Sequence, residues 1–169
     1  PAVFWAYVAL TLGEVVPAVR ATQQGTTGGD SHKEAVTTLL NALSDDPEDV
    51  WLVLDDFHVV VDLEVREAVS YLLDHLPPQV HVVLGARQDP DLPLSRWRVR
   101  GELVEVRATD LRFTPEEAAA YLHSATGIDL THDQVSALDD RAEGWIAALQ
   151  LAGLSLRGSE DAVGFIERF

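Results

Sequence analysis

The sequence predicts an α/β fold, a parallel sheet with flanking helices over residues 1–109, followed by a small all-helical domain over 110–169. Three observations carry this. Residues 51–54 are a short unbroken apolar run and 80–84 are apolar apart from His81, the pattern of strands buried on both faces of a parallel sheet. Between them Val65, Ala68, Val69, Leu72, Leu73 and Leu76 recur at helical spacing, and strand–helix–strand order implies parallel pairing with a right-handed crossover. Beyond Thr109 the strand pattern stops and capping boxes open successive helices.

Taken in order, Phe4, Val8, Leu12, Val15 and Val16 predict a first helix that ends near Pro17. Gly25, Gly28 and Gly29 mark residues 24–30 as a loop. Ala35, Val36, Leu39, Leu40 and Leu43 form one face of a second helix, stopped by Asp45-Asp46-Pro47. The strand at 51–54 and the helix of the crossover follow, the latter closed by Pro77-Pro78. After the strand at 80–84 comes a loop rich in Pro and Asp, and Leu103-Val104-Glu105-Val106 reads as a third strand. Thr114-Pro115-Glu116-Glu117 and Thr131-His132-Asp133-Gln134 each open a helix, with Gly127 ending the first. Gly144 precedes a largely apolar helix over 145–156 that should be well buried, and Gly158-Ser159 starts a last one.

Composition narrows the function. With 47% apolar residues, 169 residues suffice for a sizeable core, and no run of 18 apolar residues offers a membrane span. There is no signal-peptide pattern, and the absence of cysteine excludes disulfides and thiolate metal sites, which fits a cytoplasmic protein. Twelve basic against 28 acidic residues give a net charge of −16, a surface that repels duplex DNA. The chain has no methionine and is read as an excised fragment; its one lysine is Lys33.

The chemistry concentrates at Asp55-Asp56, which end the first apolar strand. Ligands of open α/β sheets lie beyond the carboxyl ends of the strands. One carboxylate there can hold Mg²⁺, usually through water, and a second can orient a water that attacks a terminal phosphate, which is Walker B logic. His81-Val82-Val83-Leu84-Gly85-Ala86-Arg87 ends at the same edge if the strands are parallel. Arg87 then either reads a γ-phosphate or forms a surface ion pair with Asp89 or Asp91. The six histidines have no metal-ligand spacing; His58 is either a side chain that supports the acidic pair from behind or a packing or turn residue. Arg96, Arg98 and Arg100 read as a solvated segment, and Trp5 and Trp51 as core.

Four motifs in order, Leu52-Val53-Leu54-Asp55-Asp56-Phe57-His58, Val83-Leu84-Gly85-Ala86-Arg87, the segment from Asp110-Leu111-Arg112-Phe113-Thr114-Pro115 to Ala118, and Glu143-Gly144-Trp145-Ile146-Ala147-Ala148-Leu149, resemble the ATPase region of MalT-like, LuxR-type large transcriptional regulators. These are signal-transduction ATPases with numerous domains (the STAND class), relatives of AAA+ proteins. The resemblance covers nearly the whole chain. It implies a partial P-loop NTPase-type sheet over 1–109 and a helical lid over 110–169. It further implies ATP or ADP with Mg²⁺ in the parent protein, Asp55 as the Mg²⁺ ligand, Asp56 as the residue handling the attacking water, and Arg87 as the γ-phosphate sensor. Phe113 and Thr114 would form the hinge. Gly144 and Trp145 would stand on the adenine side, where related switches carry a Gly-x-Pro turn; Ile146 takes the proline's place here. The alternative is a glycine that lets two elements approach closely, beside a tryptophan filling the lid core. The resemblance also implies self-association, an inducer bound by other domains, and DNA bound by a C-terminal domain outside this chain.

A phosphate loop, G-x-x-x-x-G-K-[ST], is missing: Lys33 lies between His32 and Glu34 and follows no such glycine pattern. The expectation is a loop upstream of residue 4 and no nucleotide retained by this chain alone. A phosphorelay receiver would need a lysine after a later strand, and Lys33 precedes the acidic pair. The other class that stays open is a non-catalytic interaction module whose acidic residues are solvated surface.

Overall fold

Helix α1 (Ala2–Val15) turns Trp5, Val8 and Leu12 inward, and Pro17 begins α2 (Pro17–Gln23) at the position where a helix needs no backbone N–H. Val16, at the corner between them, is fully buried, whereas Val15 faces outward. The computed structural model describes residues 1–23, 32–157, 164 and 166. The glycine-rich loop at 24–30 and the helix start at Gly158-Ser159 lie outside the described residues.

Helix α3 (His32–Ser44) buries Val36, Leu39, Leu40 and Leu43, then hands over to strand β1 (Val50–Leu54). Helix α4 (Leu63–Asp74) starts on Asp62, whose carboxylate accepts the Val65 N–H, and buries Val65, Ala68, Val69 and Leu72. Strand β2 (Val80–Leu84) runs parallel to β1, in register from Val50 beside Val80 to Leu54 beside Leu84. The Gln79 side chain donates to the carbonyls of Leu43 (3.1 Å) and Asp46 (2.7 Å), tying the end of α3 to the start of β2. Helix α5 (Leu94–Arg100) is pinned by Asp74, which accepts from Trp97 Nε1 at 2.8 Å and from Arg96. The arginines at 96, 98 and 100 therefore sit on a helix, half-exposed and paired with Asp74, Asp89 and Glu102.

Two strand expectations fail. Neither β1 nor β2 is buried on both faces: Val50, Leu52 and Val80 enter the core with α1–α4, while Trp51 and Val53 are 66% and 63% exposed. Alternate strand residues point to opposite faces, and no described element covers the second one. Trp51 is thus no core residue; it stacks on its register partner His81, ring centroids 4.5 Å apart. Nor is there a third strand at 103–106 among the described residues, where the sheet has only β1 and β2. Alternation supplies extended backbone, but a strand also needs a neighbour to exchange hydrogen bonds with, and Val104 stays 89% exposed.

The chain divides into two compact units, Pro1–Leu103 and Val104–Phe169. The second unit is helical. Helix α6 (Pro115–Thr126) and helix α7 (His132–Ala142) each begin with a complete capping box, Thr114 with Glu117 and Thr131 with Gln134. With α8 (Ile146–Arg157) they enclose Leu122, Leu138, Leu149 and Leu156. Only one face of α8 is buried, and Leu151 and Leu154 lie outside. Trp145 is 40% exposed and does not fill this core, because it precedes the helix, on the turn rather than on the inward stripe. Among the described residues no helix is long and apolar enough to cross a membrane.

Candidate functional site

The register delivers whatever follows β1 and β2 to one edge of the sheet. The ladder runs on by one step there. Gly85 N–H donates to Leu54 O at 3.0 Å, and Phe57 N–H donates to Gly85 O at 2.8 Å. Asp55 and Asp56 form the turn between those two bonds. Asp56 adopts the left-handed conformation (φ 50°, ψ 32°), which aspartate tolerates better than most residues. Asp55 Oδ1 accepts the Asp56 N–H at 2.8 Å and steadies that turn.

Both carboxylates are exposed, and among the described residues neither pairs with a lysine or arginine. Asp56 Oδ1 lies 3.7 Å from His58 Nδ1, too far for a hydrogen bond. His58 Nδ1 is itself buried without a partner. Arg87 leaves the sheet at the same edge, exposed, and the ion pair considered for it does not form: Asp91 takes Arg66 at 2.9 Å and Asp89 lies 3.9 Å from Arg98. Among the described residues, two carboxylates that pair with no lysine or arginine and a guanidinium that pairs with no carboxylate therefore share one sheet edge. No group of three or more His, Asp or Glu among the described residues could hold a metal alone. One or two carboxylates are what Mg²⁺ takes when water and phosphate oxygens complete its shell.

Two features escaped the sequence reading. One is a cleft of about 220 Å³ lined by the loops after β1 and β2, including Phe57, His58 and Val61, with Arg66 braced across it to Asp91 and to Val61 O. Its only sequence signal is Arg66 on the first turn of α4. The other is Gly85, whose missing side chain is what Asp55 leans into: a Cβ there would overlap Asp55 Oδ1. A glycine ending an apolar strand is the available signal for such an approach.

In the second unit Phe113 N–H donates to Gly144 O at 2.8 Å, and Thr114 caps α6. Glu143 and Gly144 are both left-handed, at φ 50° and 72°. A Cβ on Gly144 would stand 2.9 Å from Arg112 Cβ and 3.0 Å from Phe113 O. Gly144 thus lets the turn before α8 lie directly on the segment that enters α6.

No protein-family model matches the chain. It is 36% identical to the serine/threonine-protein kinase PknK of Mycobacterium tuberculosis over 135 residues, 80% of this chain and 12% of the kinase. It is 34% identical to the HTH-type transcriptional regulator MalT of Serratia proteamaculans over 120 residues, 71% of this chain and 13% of the regulator. MalT of Cronobacter sakazakii is 33% identical over 117 residues, 69% of this chain. The matched region is therefore about an eighth of each of these relatives. With the four motifs in order and these relatives together, the chain belongs to the MalT-like family.

Proposed function

We propose that this chain is the nucleotide-controlled switch module of an ATP-dependent transcriptional regulator and carries the carboxylate side of a P-loop-type ATP site. The observation that supports the reading best is the sheet edge shared by Asp55, Asp56 and Arg87 at the carboxyl ends of two parallel strands. Bound Mg-ATP brings a divalent cation for the carboxylates and a γ-phosphate for the guanidinium, and its hydrolysis resets the switch. Asp55 holds the cation, directly or through water; Asp56 orients the attacking water; Arg87 pairs with the γ-phosphate. The phosphate loop is supplied from outside residues 1–169, so this chain alone takes Mg-ATP weakly or not at all.

Residues 110–169 act as the lid, with Phe113 and Thr114 as hinge and Gly144-Trp145 on the adenine side. ATP favours one lid state over the other by its difference in affinity for the two, and that state licenses self-association and transcription activation. Inducer and DNA are bound by other domains of the regulator; the −16 charge of this chain suits neither phosphate backbone nor nucleic-acid grooves. The discriminating experiment compares ATP with ADP in the full-length protein. Arg87→Ala is expected to erase most of the preference for ATP, at least about tenfold, while ADP affinity changes little. Equal losses for both nucleotides would remove Arg87 from the γ-phosphate.

A further inference from the structure

We propose that Gly85 is the positioning residue for Asp55, the absent side chain that sets where the acidic pair points; its consequence for Mg²⁺ rests on the reading of Asp55 given above. Gly85 does not sit in the left-handed region, so its value is space rather than conformational freedom. A Cβ at position 85 would overlap Asp55 Oδ1 and stand 3.4 Å from both Cα and Cγ of Asp55. The Gly85 backbone is fixed by its ladder bonds, and Asp55 Oδ1, the end of a short exposed side chain, moves only by giving up its hydrogen bond. Gly85 spends its N–H on Leu54 O and its carbonyl on Phe57 N–H, the two bonds that flank the acidic turn. Asp55 Oδ1, the atom the methyl would strike, accepts the Asp56 N–H and holds Asp56 left-handed. A methyl group must therefore rotate Asp55, release Asp56, or open the ladder. Each response moves a carboxylate.

Two measurements test this. In the full-length protein, ATP affinity is measured with Mg²⁺ and with EDTA. Gly85→Ala is expected to lower the Mg²⁺-supported affinity about 10- to 100-fold, the range for residues that orient a metal ligand, with less than about a twofold change in EDTA. A merely structural role lowers both alike, which would overturn the proposal. On residues 1–169, urea unfolding is followed for Gly85→Ala in the wild-type and Asp55→Ala backgrounds. The midpoint should fall in the first background and hardly move in the second, where the struck oxygen is gone. Equal falls in both would overturn the steric coupling regardless of nucleotide. A wild-type protein whose ATP affinity ignores Mg²⁺, alongside a non-additive unfolding cycle, would instead sink the reading of Asp55 and leave the contact standing.

Discussion

Gly144 illustrates how much a single position can specify. It combines a positive φ with backbone and side-chain atoms at 2.9 and 3.0 Å from where a Cβ would be, so substitution is penalised twice. Gly144→Ala should destabilise the helical unit by about 1–3 kcal/mol, read by urea denaturation with amide exchange in α6–α8 as the probe. An unchanged midpoint would mean the turn before α8 can lift off Arg112 and Phe113 without cost. The close approach at this glycine was legible in the sequence, though its partner was not, since Arg112 and Gly144 meet only through the fold. Asp55 and Asp56 stood out because they close an apolar run, although apolar strands followed by Asp are common; the structure adds that they form the turn at the sheet edge. Gly85 did not stand out, because a small residue between Leu84 and Ala86 looks like ordinary strand ending until Asp55 is seen leaning across it.

Elements follow local rules where those rules are complete. Thr114 accepts the Glu117 N–H while Glu117 returns a bond to the Thr114 N–H at 2.8 Å, so both orphan donors are satisfied at the start of α6. Thr114→Ala should cost about 1 kcal/mol and speed amide exchange in the first turn of α6, while the capping box of α7 stays protected. Uniform loss across both helices would show that the cap acts on the whole unit rather than on one end. Helix faces and caps were readable because a 3.6-residue period and a four-residue motif are self-contained. Strand burial was not. An unbroken apolar run such as 51–54 has the same appearance whether its second face is covered or carries an exposed Trp51 stacked on His81. The segment at 103–106 had the alternation of a strand but no neighbour, and pairing is a property of two segments.

Among the described residues each unit has a core of its own, one built on β1, β2 and α1–α4, the other on α6–α8. The chain's net charge of −16 favours a site that recruits cations and takes anions only alongside them, as Mg-ATP does. The order of the motifs marks the family in the sequence itself, since four patterns in order are far harder to meet by chance than one. A phosphate cradle is not legible in these residues, because Lys33 has none of the glycines that G-x-x-x-x-G-K-[ST] needs. The central claim is that Asp55 holds the Mg²⁺ of a bound nucleotide. Mg-ATP titration of a form extended upstream to include a phosphate loop, beside its Asp55→Ala variant, tests it most directly. The expected result is Mg²⁺-dependent binding that falls by about 10- to 100-fold or more in the variant, the loss typical of a disturbed metal shell. Binding that is untouched by the substitution, or absent from the extended wild type, would contradict it and leave an acidic interaction module in its place.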